Sequence, residues 1–143
     1  MVTFSDMEWT ANPRNGEIIS KPYDLMEILE SLRTREPFVF ELKGSSGFTL
    51  QIGIAGSCGF VEYSRDDGSA DWVAIAPGEK QILSDQGCVA FREMADNGVE
   101  FLCGGTPSPI PSRYILSFEL LQRIAMYFWQ TGERMPEILW DEL

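Results

Sequence analysis

Three features of the chain predict an α+β fold, an antiparallel sheet with two helices packed on it as a two-layer sandwich. Two stretches, one early and one late, repeat apolar residues on a 3.6-residue period. The region between them breaks into short runs of β-branched and aromatic residues. These runs are joined by connections of only a few residues, which suit antiparallel neighbours because a parallel pair needs a crossover of a dozen residues or more.

Met7 to Ala11 reads as an opening strand anchored by Trp9, and Asn12 to Gly16 as a turn, since Asn15-Gly16 is a strong turn pair. Ser20 is placed to cap a first helix, with Pro22 near its first position, where a missing amide costs little. Leu25, Ile28, Leu29 and Leu32 form its buried stripe, Asp24, Glu27 and Glu30 its outer side, and Pro37 stops it no later than Glu36. Strands are then expected at 38–43, 48–54, 59–63 and 71–75, with turns at Gly44 to Gly47, at Ala55 to Ser57 and at Asp66 to Gly68. Cys88 to Phe91 and Val99 to Cys103 continue the strand series after the break at Pro77-Gly78.

The most legible unit is the last third, from Gly98 to Trp140. Leu121, Ile124, Ala125 and Phe128 fall at i, i+3, i+4 and i+7. Ser117 is suited to cap this helix, Glu119 favours the positive end of its dipole, and Gly132 followed by Pro136 ends it. Gly104 and Gly105, with Pro107, Pro109 and Pro111 behind them, read as a stiffened chain reversal, and Glu137 to Trp140 as a final strand.

The chain of 143 residues fits a single domain, 1–143, with an apolar fraction of 44% that is ample for a core. No apolar run is long enough to span a bilayer. The N-terminus places Asp6 and Glu8 where a secretory signal needs a basic patch, so the expected location is cytoplasmic. Eleven basic against 22 acidic residues give 11 − 22 = −11, without one histidine. Such charge serves solubility; it also favours a basic partner and repels nucleic acid and anionic membrane, neither of which is expected to bind. Cys58, Cys88 and Cys103 have no CxxC spacing and no histidine to complete a zinc site, so buried reduced thiols, no metal and no cofactor are expected.

The absence of histidine removes every Ser-His and Cys-His arrangement. Cys58, flanked by Gly56, Ser57 and Gly59, resembles a nucleophile turn but has no usual base. Gly104-Gly105-Thr106 resembles part of a phosphate cradle but lacks the lysine and the spacing of a Walker loop. Asp66 to Asp71 has the look of a calcium loop, yet its twelfth position is Pro77 where glutamate is required, and a solvated hairpin tip suits it better. No spacing singles out a catalytic pair among the many carboxylates. Trp72 beside Asp71 is the more informative neighbour, because an aromatic anchor with a charged rim is a common interface device and a cross-strand core position its commoner fate.

Phe101 to Gly105, Ile110-Pro111, Ile115, Ala125, Phe128, Thr131, Gly132, Arg134, Pro136 and Trp140 together resemble the C-terminal signature of a family of bacterial immunity proteins. This is the first-numbered Imm family of polymorphic-toxin systems, encoded beside toxins that often carry deaminase domains. Its pattern is a strand with a glycine pair, an Ile-Pro step, a helix ending in Thr-Gly-x-Arg-Pro and a closing tryptophan. The chain departs from it at Leu116-Ser117, where the family usually has a proline, and at Met135, which separates Arg134 from Pro136. The resemblance implies a non-enzymatic protein that binds a cognate toxin domain and occludes its active site. Asp66, Asp67, Asp71 and Trp72 are the candidate partner-binding residues. Two other classes stay open: a small-ligand or peptide-binding module with an apolar pocket between sheet and helices, and an enzyme relying on two converging carboxylates.

Overall fold

The computed structural model describes residues 2–6, 11–33, 39–77, 99–103 and 106–143. The chain runs β1 (Val2–Asp6), β2 (Ile18–Ile19), α1 (Pro22–Ser31), β3 (Val39–Gly44), β4 (Phe48–Ala55), β5 (Cys58–Arg65), β6 (Asp71–Ala74), β7 (Val99–Cys103) and β8 (Thr106–Ile110). A short 3-10 turn at Ser112–Tyr114 then leads to β9 (Leu116–Ser117), α2 (Phe118–Thr131) and β10 (Trp140–Glu142). The main sheet has the order β10-β6-β5-β4-β3-β1-β2, with β9 on β5, and all its pairings are antiparallel. The α+β class is as the patterning predicts.

One face of the sheet carries the core. Val2, Phe4, Phe40, Leu42, Leu50, Ile52, Ile54, Val61 and Tyr63 alternate inward along β1, β3, β4 and β5. They meet the stripes of both helices, Leu25, Ile28 and Leu29 from α1 and Leu121, Ile124, Ala125 and Phe128 from α2. The long helix lies close because a glycine faces it: a Cβ on Gly59 would stand 2.7 Å from Leu121 Cδ1. Trp129 adds a polar tether, its indole N–H donating to the Ile19 carbonyl at 2.8 Å.

The caps of α2 form as expected. Ser117 Oγ accepts from the Leu120 N–H at 3.2 Å, and Gly132 closes the helix at φ +76°, in the left-handed region. At α1 the expected serine cap is displaced by one residue: Lys21 is the N-cap, without a side-chain bond, because Pro22 itself takes the first helical position. This helix ends at Ser31, well before Pro37. Arg33 fastens its end to the sheet, donating to the Gly56 carbonyl at 2.9 Å and lying 4.3 Å over the Phe118 ring.

The first described strand is Val2–Asp6, where Val2 and Phe4 alternate into the core; of the strand expected at Met7 to Ala11, residues 7–10, Trp9 among them, lie outside the described residues. Two expectations are corrected. The proline segment Thr106–Ile110 is a strand, paired with β7 from Cys103↔Thr106 to Val99↔Ile110. Pro107 and Pro109 occupy alternate positions of an edge, where the missing N–H groups point away from the partner strand. The last strand begins at Trp140, three residues later than expected at Glu137, because Pro136 and Glu137 are spent on a turn that the Trp140 indole pins by donating to the Met135 carbonyl at 3.0 Å. The expected strand at Cys88 to Phe91 lies outside the described residues.

A smaller cluster sits on the opposite face of the sheet, where Val39, Phe60 and Ala55 pack with Phe101 of the β7–β8 hairpin and Ile115. Gly53 makes room for it: an added Cβ would come within 2.5 Å of Phe60 and 2.7 Å of Phe101. Cys58 belongs to this cluster and is buried as expected, but it is disulfide-bonded and not a reduced thiol.

Gly53→Ala is expected to destabilise the protein by about 1–3 kcal/mol through overpacking, measured by urea unfolding. Combined with Phe101→Ala its cost is expected to shrink, because the two residues compete for one space. Full additivity contradicts this packing.

Candidate functional site

Beyond the hairpin cluster, the face of the sheet opposite the helices turns polar. Strand register aligns Ser5, Glu41, Gln51, Glu62, Val73 and Asp141 in one row across β1, β3, β4, β5, β6 and β10. The next row holds Thr3, Lys43, Thr49, Ser64 and Asp71. Within these rows Val73 and Thr49 are buried, and the Ser112–Tyr114 turn reaches over the β10 end to bond Asp141. A shallow cavity of about 340 Å³ lies on the rows, lined by Glu41, Lys43, Thr49, Gln51, Ser64, Arg65 and Asp66.

The charges of this face are unequally compensated. Asp141 is neutralised, since Arg113 pairs with it and the Tyr114 hydroxyl donates to its Oδ2 at 2.7 Å. Asp66 accepts from the Thr49 hydroxyl at 2.6 Å. Glu41, Glu62 and Asp71 form no ion pair with any described residue. Partial burial, and then the negative charge of Asp71, hold the Glu62 carboxyl above the usual carboxylate range, while a hydrogen bond with Ser64 offsets part of that. Glu62 and Asp71 are not among the residues that line this cavity. Among the described residues no three Cys, Asp or Glu side chains gather to ligate a metal.

The four residues predicted from the sequence are not one patch. Asp67 serves the hairpin tip: a hydrogen bond from the Ser69 side chain, and then the Ser69 N–H donating to it at 2.9 Å, hold its carboxyl below the usual range. Asp71 and Asp66 border the acidic face. Trp72, as the next residue of β6, points to the other side and packs against the main core. Its ring is covered by a cation and not ringed by acids, for the Arg134 guanidinium lies 4.2 Å from the ring centroid. Sequence reasoning missed Glu41 and Glu62, although their alternation with Phe40, Leu42, Val61 and Tyr63 marks them as outward positions of their strands.

The C-terminal motif shapes a second place, beside Trp72. Thr131 Oγ1 donates to the Tyr127 carbonyl at 2.8 Å and accepts from the Glu133 N–H at 3.1 Å. The Gly132 carbonyl then receives the Ser46 and Tyr63 hydroxyls, each at 3.2 Å. This turn delivers Arg134 to the rings of Trp72 and Tyr63. The residues enclose an open cavity of about 440 Å³ lined by Phe48, Tyr63, Arg65, Trp72, Tyr127, Glu133, Arg134 and Pro136.

Fold and surface together define a two-layer α+β domain with Glu41, Glu62 and Asp71 on the sheet face opposite the helices. No helix among the described residues is long and apolar enough to cross a membrane. The chain matches no protein-family model and no curated protein.

Because the folded state raises the pKa of Glu62, its ionisation opposes folding. Stability from this group is full below its unfolded value and falls as pH rises from there through the raised folded value. Glu62→Gln is expected to flatten that fall and to stabilise the protein at pH 7 relative to pH 4, measured by urea unfolding at both. A variant whose pH profile parallels the parent's contradicts the assignment.

Proposed function

We propose that this chain is an immunity protein, a non-enzymatic inhibitor that binds the basic surface of a cognate toxin domain and occludes its active site. The observation that carries the reading is the sheet face opposite the helices, on which Glu41, Glu62 and Asp71 form no ion pair with a described residue. A toxin that acts on nucleic acid, such as a deaminase, must present Lys and Arg to phosphates. An inhibitor holding uncompensated carboxylates on a rigid sheet competes for that same surface. The resemblance of the C-terminal third to immunity proteins supports the same class of partner.

The placement of charge fits a fast, selective capture. Carboxylates on one face of a chain with net charge −11 steer a basic partner towards that face and reject acidic ones. The raised pKa of Glu62 marks a carboxylate already penalised by partial desolvation and by Asp71. A lysine or arginine placed over the pair relieves the repulsion, so a site mildly unfavourable in the free protein becomes favourable on docking. The proposed place of action is the cytoplasm, where a nucleic-acid-directed toxin works.

Co-expression with the toxin encoded beside it is expected to restore growth, and the purified pair to associate with a strongly salt-dependent on-rate. Glu41→Lys with Asp71→Lys is expected to lower that on-rate about tenfold or more at low salt, measured by stopped-flow, with little effect on unfolding. A toxin that kills equally with and without this chain ends the proposal.

A further inference from the structure

The cavity beside Trp72 differs from its surroundings in charge. Arg14, Arg33 and Arg113 each pair with a carboxylate. Arg65, Arg123 and Arg134 form no ion pair with a described residue, and of these Arg65 and Arg134 share one cavity. These two are held against aromatic faces instead. Arg134 lies 4.2 Å from the Trp72 centroid and 5.8 Å from that of Tyr63, and Arg65 lies 5.4 Å from that of Phe48. The floor is itself rigid, because Phe48 and Tyr63 stack at 4.6 Å with their planes 13° apart. Stacking fixes the plane of a guanidinium and leaves its N–H edge free to donate. Two such edges border one open cavity of about 440 Å³, and among the described residues Glu133 is its one acidic lining residue.

We infer that this notch is a carboxylate-binding site, in which Arg65 and Arg134 receive an aspartate or glutamate side chain of the protein partner. The inference rests on the partner reading above and adds to it a second contact on the other face of the sheet's β4–β6 end. The carboxylate is assigned to a protein and not to a free small anion because of the global charge. A chain at −11 repels dissolved anions, whereas a carboxylate carried on a basic partner is delivered by the attraction of its neighbours. The notch thereby sets register: most of the surface selects basic partners, and this point demands an acid at one position.

A peptide probe tests the site without the toxin. The full-length chain is titrated with acetyl-Lys-Lys-Gly-Glu-Gly-Lys-Lys-amide and with its glutamine counterpart, reading the Nε–H signals of Arg65 and Arg134 and the Trp72 indole by NMR. The glutamate peptide is expected to move these signals and to bind about tenfold tighter than the glutamine peptide, the worth of one charge-assisted pair at a half-exposed site. Arg134→Gln and Arg65→Gln are each expected to reduce that discrimination to about twofold or less. Sodium acetate alone is expected to leave the signals unmoved at the same concentrations. Equal affinity for the two peptides, discrimination surviving in both variants, or acetate matching the peptide overturns the inference. Since no toxin enters the experiment, failure of the immunity reading and failure of the notch are read separately.

Discussion

The structure depends on the contact between α2 and the β4–β5 hairpin. Leu121 descends onto the bare backbone at Gly59, and at the other end Tyr63 and Ser46 donate to the carbonyl of the Gly132 cap. Between these points Ile124, Ala125 and Phe128 fill the sheet's inner face. Apolar burial supplies the driving force. The glycine and the two hydroxyls fix where the helix stops, and that stopping point sets the path of the chain beyond Gly132. One residue more of helix would carry Arg134 off the Trp72 ring, so the helix cap and the aromatic notch are parts of one construction.

Much of this was legible from local rules. The α2 stripe, its Ser117 and Gly132 caps and the β3–β6 strands follow from periodicity and turn chemistry. The misplacements have physical causes. The short alternation of Val2 and Phe4 was passed over, and prolines at two alternate positions look like a loop although an edge strand tolerates them. The seating of Phe101 over Gly53 was not legible, because nothing near Gly53 in the chain announces a ring arriving from β7.

The candidate site shows the same division. Asp66, Asp67, Asp71 and Trp72 are neighbours in sequence, and sequence proximity was mistaken for proximity of side chains. A strand sends successive residues to opposite faces, which puts Asp71 with Glu62 and Trp72 with Tyr63 and Arg134. That separation turns one imagined patch into two surfaces of opposite character, a broad acidic face and a small cationic notch. The motif residues from Thr131 to Trp140, read as a family signature, acquire a physical purpose here, since they cap α2, place Arg134 and pin the turn into β10.

The central proposal is that the sheet face opposite the helices, carrying Glu41, Glu62 and Asp71, is the surface that meets a basic partner. An amide NMR footprint of this chain bound to the proposed toxin partner tests it most directly. The account predicts the largest shifts at Glu41, Gln51, Glu62, Ser64 and Asp71, with the outer side of α1, marked by Tyr23, Glu27 and Glu30, unchanged. A footprint centred on α1 that leaves the acidic rows undisturbed contradicts it.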